Sequence, residues 1–198
     1  MKTMKPFSVA LALLFTTAAV AQATFNVDPA ATKMIWTGKK VTGQHHGTLN
    51  VSAGTVGWGQ DGLTAANVTI DMTSLTNTDL DKDYAPRLEN HLKSADFFNT
   101  EVFKTAQFKS TRVERIAGAE VGQPNYRVTG DLTIKGITKP VTFDVLAWQE
   151  KRGVRAAGTM TFDRTLYDVQ YRSGKFFDAL GDKMIEDMVP LTFDLMAK

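Results

Sequence analysis

The histidines His45, His46 and His91 are the side chains best suited to moving protons near neutral pH in this 198-residue chain. His91 opens the run HLKSADFF (91–98), so Lys93 and Asp96 follow it closely. A general base needs a partner that orients it. His91 or His45 as base, with Asp96 or Asp71 as orienter, would make a hydrolase or isomerase for a small amphipathic substrate. The same cluster has a quieter use, in which His91, Lys93 and Asp96 ring a mouth and hydrogen-bond a polar head group. Lys93 is explained better by the dipole of a helix ending nearby. Asp71, Asp163, Asp168 and Asp187 could form carboxylate pairs, but acids at strand ends and turns are usually solvated. No G-x-S-x-G elbow, phosphate-binding loop or dinucleotide glycine pattern is present. Adjacent His45 and His46 would point to opposite faces of a strand and could not share an ion. With no cysteine and no HExxH or EF-hand spacing, neither a metal nor a cofactor is expected. The expectation is a binding protein with no catalytic residue.

A second group of residues is apolar. Trp36, Phe97, Phe98, Phe143 and Phe162 are candidates for a ligand-lining surface, with His91 and Asp96 at its mouth. Large inward aromatics are more often plain core. Small inward positions at Gly38, Gly130, Ala156 and Gly158 favour space over filling.

These residues need a scaffold, and the stretch NYRVTGDLTIKGITKPVTFDVLA (125–147) shows its kind. Tyr126, Val128, Leu132 and Ile134 alternate with polar residues. Val141, Phe143, Val145 and Ala147 do the same beyond Lys135-Gly136. A period of two marks half-buried antiparallel strands, and the Lys-Gly pair suits a tight hairpin turn. The same alternation predicts strands over 34–41, 48–56, 63–72, 105–113, 127–134, 138–148, 153–162 and 189–196, with a turn at 43–47. Tyr84, Leu88, His91, Leu92 and Ala95 fall at helical spacing, with Pro86 in the first turn, so a helix of about three turns ends near Ser94. Residues 163–187 read as a long excursion across one barrel mouth. The fold class is all-β, a closed antiparallel barrel of eight strands with one short α-helix. Such a barrel either fills itself with side chains or holds one ligand.

The first residues read as an export signal. Lys2 and Lys5 precede an apolar run over 7–20 and two small-x-small sites, which place cleavage after Ala21 or Ala23. Residues 1–23 are then the signal and 24–198 the domain. Removing two lysines leaves 21 basic against 21 acidic residues. That balance offers no basic arm for nucleic acid and no polybasic patch for anionic lipid. Without cysteine, an exported chain must rely on its packed core.

HLKSADFF (91–98), AQFKST (106–111) and GDLTIKGITKPVTFDV (130–145), with the acidic turn before the last apolar strand, resemble the YceI family. The resemblance runs from about Phe25 to Lys198. It implies an extended, lipocalin-like eight-stranded barrel in the periplasm. It also implies a long-chain isoprenoid ligand, a polyprenyl phosphate or a quinone tail. Transient contact at a membrane surface and a monomeric or homodimeric state are separate expectations. A third reading is a stress-related envelope protein whose binding is incidental.

Overall fold

A computed structural model of the chain describes residues 22–198; the export signal falls almost wholly outside these residues. The hairpin forms where alternation places it. β7 (Tyr126–Ile134) pairs with β8 (Ile137–Glu150) from Tyr126 opposite Val145 to Ile134 opposite Ile137. Lys135 (φ 50°) and Gly136 (φ 73°) both adopt the left-handed conformation that a two-residue hairpin turn demands. Tyr126, Val128, Gly130, Leu132 and Ile134 are buried, and the residues alternating with them are more exposed.

The rest of the sheet repeats this logic. The other strands are β1 (Ala23–Asn26), β2 (Lys33–Lys40), β3 (Gly43–Thr48), β4 (Asn50–Gly59), β5 (Gly62–Asp71), β6 (Thr105–Arg115), β9 (Gly153–Asp163) and β10 (Met188–Ala197). All pairings are antiparallel, in the order β1-β4-β5-β6-β7-β8-β9-β10-β2-β3. The order lists ten strands where eight are expected, and Leu49 explains the difference. Residues 43–59 are one extended run that pairs with β2 before Leu49 and with β5 after it, so β3 and β4 are two halves of one long strand. That crossing is the seam at which the curled sheet returns on itself. Leu49 N–H donates to the Met34 carbonyl (3.1 Å) to hold it. At the other end Val27 N–H donates to the Gly54 carbonyl (3.0 Å) and Asp28 N–H to that of Met196 (2.8 Å), lacing β4 to β10. Eight long strands and the short β1 therefore make the barrel.

The turn expected at 43–47 is corrected: those residues belong to β3, and the turn is at Val41-Thr42. Gly47 is there because the Thr76–Asn77 backbone crosses directly over it, and a Cβ would run into the Thr76 carbonyl. Two other glycines also mislead. A Cβ at Gly130 would stand 2.5 Å from Phe108 Cζ, and one at Gly158 3.2 Å from Phe193 Cζ. These glycines let rings lie flat on the sheet and leave no empty room.

The helix α1 (Ala85–Lys93) forms as its spacing requires, with Pro86 in the first turn and Ser94 Oγ donating to the His91 carbonyl (2.8 Å) at its end. It lies over one end of the barrel, with Leu88 and Leu92 packed on the core. The excursion 163–187 crosses the same end.

One buried group has no partner among the described residues: the Tyr167 hydroxyl. The ring is 1% exposed and packs edge-on to Phe162 at 5.8 Å. Burial, with the Asp163 charge adding to it, pushes the phenol up to about 12. An unsatisfied buried hydroxyl costs about 1–3 kcal/mol. Tyr167→Phe keeps the ring and removes the hydroxyl, so it should raise the urea midpoint by an amount corresponding to about 1 kcal/mol. A lowered midpoint would show that the hydroxyl is bonded.

Candidate functional site

Beneath the helix the barrel is hollow. A cavity of about 280 Å³ is walled by inward residues of β2, β5, β7, β9 and β10, among them Trp36, Ile70, Leu132, Met160, Phe162 and Leu191. Its cover is Leu88, His91 and Leu92 of α1, with Phe97 and Phe98 just beyond the helix. Toward solvent the wall becomes polar, through Lys39, Lys40, His45, Arg172 and Glu186. The site is thus an apolar hollow with a collar carrying more positive than negative groups.

The cover is fastened by polar side chains. Asn77 is buried; its N–H donates to Glu89 Oε1 of the helix (2.8 Å) and its amide Nδ2 to the His46 carbonyl (3.0 Å). Asp79 Oδ1 accepts from His46 N–H (3.0 Å), and Oδ2 lies 2.9 Å from His45 Nδ1. Burial pushes the Asp79 carboxyl up, but the His46 N–H, His45 and Asn77 together hold it below the usual carboxylate value. Trp36 donates its indole N–H to the Thr76 carbonyl (2.9 Å), so its polar edge is satisfied while its ring lines the hollow.

The excursion is fastened by Arg164, whose side chain is 3% exposed. Its guanidinium donates to the carbonyls of Val169 (2.8 Å), Tyr171 (3.0 Å), Glu186 (3.1 Å) and Ile185 (3.1 Å), and to Asp187 Oδ1 (3.2 Å). Lys175 bridges the two ends of the excursion, 2.6 Å from Asp163 and 3.5 Å from Asp187. Burial pushes the Asp163 carboxyl up, and the Lys175 ammonium with the Thr165 donors pulls it below its ordinary value.

The structure sorts the expected site residues. Trp36, His91, Phe97, Phe98 and Phe162 stand on the wall of the hollow. Asp96 does not: it is exposed and lies 3.2 Å from His91 Nε2. Phe143 lines a second, deeper cavity of about 60 Å³. The His91 ring is held edge-on against Phe97 (4.9 Å) and Tyr171 (4.7 Å), which ties the helix to the excursion. Asp71 is spent at home, its Oδ1 accepting from Thr73 N–H (2.9 Å) and Oγ1 (2.6 Å), so it orients neither histidine. His45 and His46 sit on a strand and face opposite ways, and among the described residues no group of three or more metal-binding side chains forms. Sequence reasoning missed Lys39, Lys40 and Arg172 of the collar and Arg164 beneath it. Lys40 continues the alternation of Met34, Trp36 and Gly38 on β2, a signal that places it at the rim.

The comparisons with known proteins agree with this architecture. The YceI-like domain model matches residues 25–197. The YceI protein of Escherichia coli O157:H7 is 45% identical over 78 residues, 39% of this chain and 35% of that protein. The chain thus spans about a third of the length of the first curated relatives it matches. The crystal structure of Burkholderia cenocepacia BcnA is similar at TM-score 0.65 and 25% identity, covering 87% of this chain and 99% of that one. A polyisoprenoid binding domain from Saccharophagus degradans, implicated in plant cell wall breakdown, has TM-score 0.59 and 16% identity over 91% of this chain and 99% of that one. At that identity the second likeness speaks for the lipocalin-like fold alone. With the family model covering nearly all of the described barrel, this chain belongs to the YceI-like domain family.

Proposed function

We propose that this protein is a non-catalytic periplasmic carrier that holds the tail of a long isoprenoid in the barrel and its polar head at the collar. The observation that carries the reading is the apolar hollow of about 280 Å³ under α1, open through a basic rim. Membership of the YceI-like family, among whose structural relatives is one described as a polyisoprenoid binding domain, motivates the ligand class. Lys39, Lys40 and Arg172 at the rim favour an anionic head, such as a prenyl phosphate, over a neutral quinone ring. The basic start and apolar run of residues 1–23 support export. Binding fits better than catalysis because His91 is held by two rings and Asp71 is committed to its own turn.

The energetics suit exchange. Burying a CH₂ group is worth roughly 0.8 kcal/mol against water. Summed over a long tail, this would exceed the practical limit of about −18 to −21 kcal/mol. The tail's true alternative is a bilayer, itself apolar, so transfer between lipid and barrel is nearly neutral. Head-group contacts and fit then decide, and transient contact of the mouth with a membrane surface is enough for loading.

Native mass spectrometry and lipid extraction of the mature protein, purified from the periplasm of an expressing bacterium, test the reading. A co-purified isoprenoid, or uptake of added undecaprenyl phosphate, is the expected result. A protein that carries no lipid and takes up none would end it.

A further inference from the structure

The hollow under the helix and the smaller one below it are lined by three residues in common: Ile70, Met160 and Leu191. They are 3%, 4% and 4% exposed and stand between the two spaces. Ile70 is on β5 and Met160 on β9, four strands apart around the ring of eight, so they face each other from opposite walls of the barrel. Leu191 is the β10 partner of Met160. The lower space is walled wholly by apolar side chains and floored by Phe108, Phe143 and Phe193, whose rings lie 5.3 and 5.8 Å apart in sequence along the floor. Ala66 and Ala156 keep its sides open. A well-packed core would close such a space, because a void costs stability.

Resting on the isoprenoid reading above, we propose that Ile70, Met160 and Leu191 form a gate that selects tail length, with Met160 its moving part. Ile70 is β-branched and stiff about χ1. Methionine has three rotatable bonds and a thioether that adapts to irregular neighbours. A short tail ends in the upper hollow with the gate shut. A longer tail must turn Met160 aside to reach the lower space, and the strain of doing so reduces its affinity. Lipids are therefore discriminated at the end opposite the head group.

The test compares wild type with Met160→Ala and Met160→Phe in the mature protein, using farnesyl phosphate as short probe and undecaprenyl phosphate as long probe. Met160→Ala should raise the long-to-short affinity ratio about tenfold, a change of about 1.4 kcal/mol. Met160→Phe should lower the same ratio about tenfold. Crystals under xenon give a readout independent of lipid: two separate sites in wild type, one continuous site in Met160→Ala, and an upper site alone in Met160→Phe. A long-to-short affinity ratio that is unchanged in both variants overturns the gate. If wild type binds neither prenyl phosphate, the carrier reading fails and the gate falls with it.

Discussion

Arg164→Ala should lose about 3–5 kcal/mol of stability and, with it, protection of the 163–187 excursion from hydrogen exchange. The guanidinium is buried inside that loop, and five acceptors depend on it: four backbone carbonyls and Asp187. Removing it leaves carbonyls buried without donors, and each such loss costs about 1–3 kcal/mol unless water enters. Burial lowers the arginine's pKa from its ordinary value, while Asp187 and Asp163 oppose that shift, so the cation is costly to bury and is retained by its partners. Arg164→Lys should not rescue the fold, because one ammonium cannot present the planar fork that reaches carbonyls on both sides. The functional consequence follows from position. Tyr171, Arg172, Ile185 and Glu186 form the cavity wall on this side, and a released excursion opens the hollow to water. Urea unfolding and amide exchange over 163–187 check this. Wild-type midpoints and protection in Arg164→Ala would show that the loop holds itself.

Arg164 also shows where the sequence stops being readable. Its partners are carbonyls, which every residue carries, so no side-chain pattern betrays a buried arginine clamp. Alternation, by contrast, is written in side chains, and it located the β7–β8 hairpin and the inward faces of Trp36, Ile70 and Phe162. Helical spacing located α1 to within a residue or two at each end. The seam was not legible. Nothing in Thr48-Leu49-Asn50 breaks an extended chain; the strand changes partners there because the curled sheet must meet itself. Glycines were the most misleading residues. Gly43 and Gly47 read as a turn, and Gly130 and Gly158 as open space, when Gly47 and Gly130 mark places where backbone or a ring comes too close for a Cβ and Gly158 one where a ring leaves little room. Depth was also hidden: Phe143 and Phe162 both point inward, yet one lines the lower cavity and the other the upper. A period of two gives the face of a strand and not the height along the barrel axis.

Gly47→Val should cost about 3 kcal/mol or more, because one position carries the crossing that holds the cover in place. Thr48 and Thr76 exchange both backbone hydrogen bonds at 3.1 Å, and their hydroxyls lie 2.8 Å apart. Gly47 sits opposite Trp36 on β2, and the Thr76 carbonyl above it accepts the Trp36 indole N–H. A side chain at 47 pushes that carbonyl away. The displacement breaks the threonine pair, strips Trp36 of its acceptor, and pulls on Asn77, whose N–H reaches Glu89 of the helix. The cover over the hollow is then loosened from a residue that touches no ligand. Gly38→Ala is the matched control: it lies on the neighbouring strand, and its added Cβ would meet only Trp36 Cζ3 at an ordinary 3.7 Å. Gly47→Val should therefore show a lowered urea midpoint, red-shifted tryptophan emission and weakened prenyl phosphate binding, while Gly38→Ala keeps the midpoint of wild type. Equal midpoints in the two variants would mean that the chain above Gly47 yields freely, and that the helix is held over the barrel by its apolar contacts alone.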